Sequence, residues 1–346
     1  LFRLSCRVSA KRLFPNFSFL DSSFNKPYLV EGDYNTEVGY MGCRTRVMAN
    51  VCGPSVTPGR GNLSFTSINL PRLGIKHGIA LGERTKADME GFYKELDELM
   101  DLVKGQLLQR FECQCSKTRA NFKFLLGSHV WINSEKLDNN SKLRTVLKHG
   151  TLSIGFIGLA ETLKALIGEH HGESAKAQKL GEEIIKHMRE KCDAYCEEYN
   201  LNFTLLATPA EGLSGRFTAI DRSIYGKIKG VTDREYYTNS FHVPVYYKTS
   251  VAHKLETEGI YHKYTNAGHI SYIELDGDTV NNVDAFEQVV RIMHDNDIGY
   301  GAINHPVDRD PVCGYVGVIK DVCPRCGRHE NEGVEMEKIT NFNCGC

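Results

Sequence analysis

The stretch Tyr40-Met-Gly-Cys-Arg-Thr-Arg46 is the most informative part of this chain. Gly42 directly precedes Cys43, which favours a tight turn between two extended segments, because glycine adopts backbone conformations that other residues avoid. Arg and Asn side chains follow within thirty residues, in the segments Gly59-Arg-Gly-Asn62 and Ser67-Ile-Asn-Leu-Pro71. We therefore interpret Cys43 as the chemical centre of a site for a small polar substrate. The alternative is a buried small side chain, since free cysteine is among the most buried residue types.

Longer blocks extend this pattern along the chain in a fixed order. They are MGCRTRV (41–47), GRGNLSFTSINLPRLGIKHG (59–78), HGTLSIGFIGLAETLKAL (149–166), ATPAEGLSGRF (207–217), VTDREYYTNSFHVPV (231–245) and AGHISYIELDG (267–277). Together they resemble the catalytic subunit of the anaerobic (class III, oxygen-sensitive) ribonucleoside-triphosphate reductases, a family of glycyl-radical enzymes. The resemblance runs from about Pro15 to Cys326, and ordered blocks of this length are more specific than any short motif.

Composition and charge fit one large folded domain with a small appendage. Of the 346 residues, 41% are apolar and 25% are charged, which is enough to bury a full core. The formal net charge of −1 provides no electrostatic reason for binding a polyanion. We therefore expect no nucleic-acid partner, although a local phosphate pocket is compatible with this charge.

Cysteine spacing and hydropathy indicate a reduced, cytoplasmic chain. The twelve cysteines lack the spacing of a short secreted disulfide framework, and no secretory signal opens the chain. The longest apolar run, residues 152–167, contains Glu161 and Lys164 and is shorter than the roughly 20 residues of a membrane span. No membrane partner is expected. Since the chain begins at Leu1 without an initiator Met, we expect a carboxyl-terminal fragment of a longer protein.

Hydrophobic periodicity predicts an α/β fold. Apolar residues three and four positions apart predict helices over residues 87–111 and 176–199. Short β-rich segments predict strands at residues 203–207, 241–247, 270–275 and 298–303. This alternation is typical of an α/β domain with crossover helices. The family resemblance implies more: part of a ten-stranded α/β barrel, with Cys43 on a finger loop inside it.

The carboxyl-terminal region contains a small cysteine module. Cys323-Pro-Arg-Cys326 forms a knuckle, and Cys313 lies upstream of it. Thiolates at such tight turns are the ligands that tetrahedral zinc selects. A structural zinc site is favoured over a redox disulfide, because it stabilises a lobe too small for its own core. We therefore divide the chain into a catalytic barrel portion (1–304) and a zinc-ribbon-like lobe with a truncated radical-domain tail (305–346).

Two positions depart from the family's pattern in this region. The family carries a second Cys-x-x-Cys before the knuckle, and the matching position here is Asp310. The fourth zinc ligand is therefore open between Asp310, Cys344 and Cys346. The family also stores its radical on a glycine in an Arg-x-x-Gly-Tyr segment. Asn341 stands at that position here, and the surroundings of Gly345 do not match, so we assign no radical glycine.

The resemblance implies a radical mechanism. A glycyl radical, generated by an iron–sulfur activating enzyme that uses S-adenosylmethionine, would convert the Cys43 thiol to a thiyl radical. That sulfur would take the 3′-hydrogen of a ribonucleoside triphosphate, water would leave from the 2′ position, and formate would be the reductant. Asn62 is expected to orient the ribose or formate, with Asn69 as a second contact. Such chemistry requires a dry, enclosed site. The family also implies a homodimer.

A second substrate contact is predicted at Thr208-Pro-Ala-Glu-Gly212, directly after the predicted strand 203–207. Backbone N–H groups at a strand-to-helix transition favour a phosphate, so Thr208, Ala210 and Glu211 are candidate nucleotide contacts. The alternative is an ordinary turn with Pro209 at the first helical position. Both interpretations stay open.

Two other clusters are interpreted as structural. Cys192 and Cys196 have metal-compatible spacing but lie in an apolar helical stripe, which predicts core packing. His170-His171 is predicted to lie in a loop, with Ser174 capping the next helix. For the whole chain, two alternatives to the reductase remain: another glycyl-radical enzyme, or a non-catalytic fragment that lacks the radical glycine.

Overall fold

The computed structural model describes residues 1–330 and 332–337. Its α-helices are Phe2–Arg12 (α1), Leu70–His77 (α2), Met89–Cys115 (α3), Arg144–Leu147 (α4), Leu159–Ile167 (α5), Ala175–Tyr199 (α6), Glu211–Tyr225 (α7), Val251–His262 (α8) and Val283–Asp295 (α9). Its strands are Phe17–Ser18 (β1), Tyr40–Met41 (β2), Thr45–Arg46 (β3), Asn62–Asn69 (β4), Thr151–Ile157 (β5), Asn202–Ala207 (β6), Ser271–Glu274 (β7), Tyr300–Asn304 (β8), Asp308–Arg309 (β9) and Val316–Gly317 (β10).

Parallel pairing dominates the two larger sheets. Strands β4, β5 and β6 lie side by side and parallel. Strand β8 pairs parallel with β7 on one side and antiparallel with β1 on the other. Helices connect the parallel strands, as parallel pairing requires. The predicted α/β class is therefore confirmed. The ten-stranded barrel is not seen as a closed barrel in residues 1–330 and 332–337, because closure needs each strand paired on both sides and β4 pairs only with β5.

The predicted helices and three of the four predicted strands are present within a few residues of their expected bounds. The prediction of a strand at residues 241–247 is wrong, because these residues form turns and irregular structure. Phe241 and Val243 are buried as a strand would bury them, but side chains satisfy their backbone groups. His171 contacts the carbonyl oxygen of Phe241 at 2.7 Å, and the Val243 N–H donates to Glu258 at 2.9 Å. An apolar segment can thus be buried without a neighbouring strand.

The sheet β4–β5–β6 has one apolar and one polar face. On the apolar face, alternate residues of β5 pack into the main core beneath α3, α5 and α6. Helix α3 faces this core with one stripe of buried residues: Phe92, Leu96, Met100, Val103, Leu107 and Phe111. Burying each such side chain is worth about 1.5–3 kcal/mol. None of the helices in the described part of the chain is long and apolar enough to cross a membrane.

A short segment around Gly268 joins the hairpin β2–β3 to strand β6. Gly268 forms one bridge with Thr45 of the hairpin and another with Leu206 of β6. Its φ of +139° lies in a region that other residues rarely adopt. A Cβ atom at this position would lie 2.1 Å from the carbonyl oxygen of Arg44. Glycine therefore allows the hairpin to approach the sheet.

We expect Gly268→Ala to lower the free energy of unfolding by about 2–4 kcal/mol, because the methyl group adds backbone strain and a steric clash. Urea denaturation followed by circular dichroism measures the change. Gly277→Ala is the matched control, since no atom lies within 4 Å of the position that its methyl group would take. Equal stability of the two variants would contradict the described approach of the hairpin.

Candidate functional site

Cys43 lies in the turn of the hairpin β2–β3, in the position predicted for a finger loop. Gly42, with a φ of +56°, starts the turn, and Tyr40 pairs with Arg46 below it. The side chain of Cys43 is exposed. The expectation of a sulfur sheltered from solvent is therefore wrong for the part of the chain that the structure describes. The reason is geometric, since pairing of the hairpin ends before the turn and no described residue covers the tip.

Aromatic and histidine side chains hold the base of this hairpin. Tyr40 stacks on Tyr300 with 4.4 Å between ring centroids. Its hydroxyl lies 2.8 Å from Nε2 of His269, which is fully buried. The ring of His262 lies 4.2 Å from that of His269. Burial raises the pKa of Tyr40 to about 12, so its hydroxyl stays protonated and able to donate.

Asn62 lies at the amino end of strand β4, on the polar face of the sheet. Its side-chain nitrogen donates to Oγ1 of Thr151 at 3.1 Å and to the hydroxyl of Ser153. Asn69 lies at the other end of the same strand, roughly 20 Å away at about 3.3 Å per residue. The two predicted asparagine contacts therefore belong to opposite edges of the sheet.

Asn69 is held by a buried polar network. Its side-chain nitrogen donates to Asp221 at 2.7 Å, and its oxygen accepts from the backbone N–H of Arg72 at 3.4 Å, capping α2. Asp221 has no exposed surface and also accepts from Nε of Arg72 at 2.6 Å and from the hydroxyl of Tyr237 at 2.8 Å. Both polar ends of Asn69 thus already stabilise the fold.

The predicted phosphate segment follows strand β6 at the carboxyl edge of the sheet. Thr208 is buried, and its hydroxyl lies 2.8 Å from that of Ser67 on β4. The N–H of Ala210 donates to Asn239 at 2.7 Å. Glu211 is exposed and is the first residue of α7, with a φ of +31°. The three predicted contacts are therefore adjacent, and Glu211 is the one open to solvent.

Gly155 allows Ser67 and Thr208 to meet across strand β5. A Cβ atom on Gly155 would lie 2.1 Å from Oγ1 of Thr208 and 2.8 Å from Oγ of Ser67. The alternative that placed Pro209 at the first helical position is wrong, because α7 begins at Glu211. Sequence reasoning missed Ser67, and its position in a block of the family pattern was the only signal available.

The carboxyl-terminal cysteines converge with one carboxylate. Ligand atoms of Asp310, Cys313, Cys323 and Cys326 all lie within 4.8 Å of one another. The sulfur atoms of Cys313 and Cys323 are 3.5 Å apart, and that of Cys326 lies 3.2 Å from Oδ2 of Asp310. Tetrahedral zinc with sulfur ligands at about 2.3 Å separates them by about 3.8 Å, whereas a disulfide needs about 2.05 Å. The cluster therefore fits a metal ion.

Arg328 determines which carboxylate oxygen of Asp310 faces the cysteines. Its Nη2 donates to Oδ1 of Asp310 at 2.8 Å, and the Val312 N–H donates to the same oxygen at 2.9 Å. Oδ2 is left toward Cys326. The Arg328 hydrogen bond holds the pKa of Asp310 well below its ordinary value, so the group is a carboxylate.

Four residues named for this tail fall outside the described residues: Asn341, Cys344, Gly345 and Cys346. The structure therefore does not place the position expected for the radical glycine, nor the two cysteines that were alternative ligands. Among the described residues, Asp310 completes the set of four.

The two clusters interpreted as structural are confirmed as such. Cys192 is fully buried in the main core, and burial raises the pKa of its thiol. Burial also raises the pKa of Cys196, to about 11. His170 and His171 lie in a loop, where Nε2 of His171 contacts a backbone oxygen. The hydroxyl of Ser174 accepts from a backbone N–H in the first turn of α6 and caps that helix.

Comparison with known proteins gives the family. Residues 1–341 match the family model described as anaerobic ribonucleoside-triphosphate reductase. The chain belongs to this family. It is 31% identical to the anaerobic ribonucleoside-triphosphate reductase of Escherichia coli, over 99% of this chain and 46% of that protein. It is 30% identical to the enzyme of the same name from Enterobacteria phage T4, over 99% and 54%. The chain thus spans about half the length of these relatives.

Solved structures of anaerobic ribonucleotide reductases share the fold. A structure of the enzyme from Thermotoga maritima superposes with a TM-score of 0.66 at 18% identity, covering 94% of this chain and 48% of that one. A glycyl radical enzyme from Archaeoglobus fulgidus superposes with a TM-score of 0.58 at 13% identity, covering 88% and 45%. At identities of 18% and 13%, these superpositions show a shared fold and nothing more.

Four fully buried histidines predict a stability that falls in acid. Burial lowers the pKa of His171 to about 3 and those of His242, His262 and His269 well below 6.5. Below about pH 6.5 the unfolded chain therefore binds protons that the folded chain does not. We expect the free energy of unfolding to fall as the pH drops from 6.5, by up to about 1.4 kcal/mol per pH unit for each histidine.

Urea unfolding at pH 8, 7, 6 and 5 checks this expectation. His262→Gln should flatten the acid limb, whatever its effect on stability at pH 8. His294→Gln is the control, because His294 is exposed and Asp21 raises its pKa. An unchanged slope in His262→Gln would show that this histidine does not contribute to the acid instability.

Proposed function

We propose that this chain carries the cysteine-bearing part of an anaerobic ribonucleoside-triphosphate reductase, which converts ribonucleoside triphosphates to deoxyribonucleoside triphosphates. The observation that carries the proposal is the position of Cys43 in the turn of the hairpin β2–β3. This turn is joined to strand β6 just before the predicted phosphate segment, because Gly268 bridges Leu206 of that strand. Family membership supports the same reaction.

The chemistry assigned to Cys43 is hydrogen-atom exchange with the sugar. In the family's mechanism a glycyl radical, formed by an iron–sulfur activating enzyme with S-adenosylmethionine, would take the hydrogen atom of the Cys43 thiol. The resulting thiyl radical would take the 3′-hydrogen of the ribose, the 2′-hydroxyl would leave as water, and formate would supply the two electrons of the reduction. Because thiyl radicals are quenched by solvent, the proposal requires that Cys43 be covered in the working enzyme.

The polar face of the sheet supplies the proposed sugar contact. The amide nitrogen of Asn62 is committed to Thr151 and Ser153, which points its carbonyl oxygen Oδ1 elsewhere and leaves it for a sugar hydroxyl. Asn69 would contact the substrate only by giving up its hydrogen bond to Asp221. Asn62 therefore has the free acceptor, whereas Asn69 lies at the carboxyl edge that also carries Thr208 and the Cys43 turn.

The segment Thr208, Ala210 and Glu211 is the proposed phosphate contact, in which the N–H of Ala210 would have to release Asn239 to bind substrate. It lies where the carboxyl end of a central parallel strand gives way to α7. The first N–H groups of a helix have no partner within the helix and carry partial positive charge. Glu211 would act on the substrate through its backbone N–H, since its carboxylate would repel a phosphate.

The proposed resident metal is one structural zinc ion, held by Asp310, Cys313, Cys323 and Cys326. Two of these side chains belong to a small apolar cluster that is separate from the main core: Cys323 is buried in it with Ile319 and Met336, and Cys313 packs against it. So small a cluster contributes little burial, and a closed four-ligand site stabilises such a lobe. A homodimer, the activating enzyme and a cytoplasmic location complete the proposal by analogy with the family.

We expect the purified protein to hold about one zinc ion per chain under reducing conditions. Asp310→Ala should weaken zinc binding by at least about 100-fold, because it removes a ligand and the ion-pair partner of Arg328. Elemental analysis and competition with a chromophoric chelator measure this. Cys43→Ala is the control and should bind zinc normally. Protein free of zinc, or normal binding by Asp310→Ala, would count against the site.

Cys43→Ala should abolish nucleotide reduction, by at least about a thousandfold, while leaving the circular dichroism spectrum unchanged. The assay follows deoxyribonucleotide formation by the anaerobically activated full-length enzyme. Cys113→Ala is the matched control, because Cys113 is also exposed but lies at the end of α3. Residual reduction by Cys43→Ala at the control rate would refute the role of this sulfur.

A further inference from the structure

Arg44 is a fully buried arginine in which two of the three guanidinium nitrogens have no hydrogen-bond partner among the described residues. It directly follows Cys43 in the turn and has no exposed surface. Its Nη1 lies 3.5 Å from the carbonyl oxygens of Ala207 and Thr208. Its Nε and Nη2 have no hydrogen-bond partner among the described residues. A positive charge is therefore buried with only two long contacts to neutral oxygens.

Two other buried arginines of the same region have hydrogen-bond partners for all of their guanidinium nitrogens. Arg46 donates from Nε and Nη2 to Oδ1 of Asn25, at 3.0 and 2.8 Å, and from Nη1 to a backbone oxygen. Arg60 donates from all three nitrogens to backbone oxygens of His149, Met48, Val56 and Ala49. Neither arginine leaves a nitrogen unpaired, so Arg44 is the exception among the buried arginines of the described chain.

The two free atoms of Arg44 form one edge of the guanidinium. Nε–H and the neighbouring N–H of Nη2 point in the same direction, which matches the spacing of two oxygens in a carboxylate or phosphate. Arg46 uses this same edge for the oxygen of Asn25. Removing a charge from water without a partner is strongly unfavourable. An oxyanion on this edge would supply both hydrogen-bond acceptors and the missing charge.

We propose that Arg44 is an oxyanion-binding residue, whose Nε–Nη2 edge binds a carboxylate or phosphate group at the carboxyl end of β6. The position lies between Cys43 and the segment that begins at Thr208. A free monocarboxylate such as formate and the phosphates of a nucleotide present the same chemistry. The choice between these two ligands rests on the proposed function, whereas binding itself is measured without turnover.

The test measures binding of formate, inorganic phosphate and cytidine triphosphate to the unmutated protein, Arg44→Met and Arg46→Met. Calorimetry gives the affinity and thermal denaturation gives the midpoint, with chloride at equal ionic strength as the control for salt. We expect Arg44→Met to bind the anion at least about tenfold more weakly. Its midpoint without anion should not fall, because an unpaired buried charge has been removed. Arg46→Met should lower that midpoint but keep the response to anion.

Each result decides the proposal. Arg44-dependent binding of formate alone identifies a carboxylate site, and Arg44-dependent binding of phosphate or the triphosphate identifies a phosphate site. No binding of any probe, or equal binding by Arg44→Met, overturns it. If Arg44→Met does not fold, the Nε–H resonance of Arg44 in the unmutated protein must shift on titration, and an unmoved resonance overturns the proposal. If the protein proved unable to reduce nucleotides, the proposed function would fail but anion binding by Arg44 would still stand, because binding is measured without turnover.

Discussion

The close approach of the hairpin β2–β3 to strand β6 is the constraint on which the rest of the site depends. The backbone around Gly268 makes it possible, because the Arg46 N–H donates to Ala267 at 2.7 Å while the Ala207 N–H donates to Gly268 at 3.1 Å. Without room for this segment, the Cys43 turn and the end of β6 would separate. One residue without a side chain therefore positions the thiol relative to the sheet.

Burial decides the chemical character of each reactive group in this protein. Cys43 is exposed at a turn, whereas Cys192 is buried among apolar side chains that raise the pKa of its thiol. The same physics keeps His269 neutral beneath the hairpin. At the carboxyl-terminal cluster a neighbouring charge outweighs burial: the hydrogen bond from Arg328 lowers the pKa of Asp310 and keeps it a carboxylate. Residue type alone does not distinguish these cases, because the dielectric surroundings and the nearest charge differ.

Much of the fold could be predicted from local pattern. The stripes of α3 and α6, the strand at residues 203–207 and the Gly42 turn follow from periodicity and glycine chemistry, which act over a few residues. The segment at residues 241–247 could not be predicted, because distant partners such as His171 satisfy its backbone. A closed barrel was inferred from family likeness, and the described strands form separate sheets.

Spacing within short segments was enough to predict the α/β class, the turn that carries Cys43 and three of the four members of the cysteine cluster. The fold was needed to show that Asn62 and Asn69 lie at opposite ends of β4, because the length of that strand separates them. It also brought Asp310 to the cysteines and buried Arg44 with a free edge. These outcomes depend on contacts between segments distant along the chain, which local pattern does not encode.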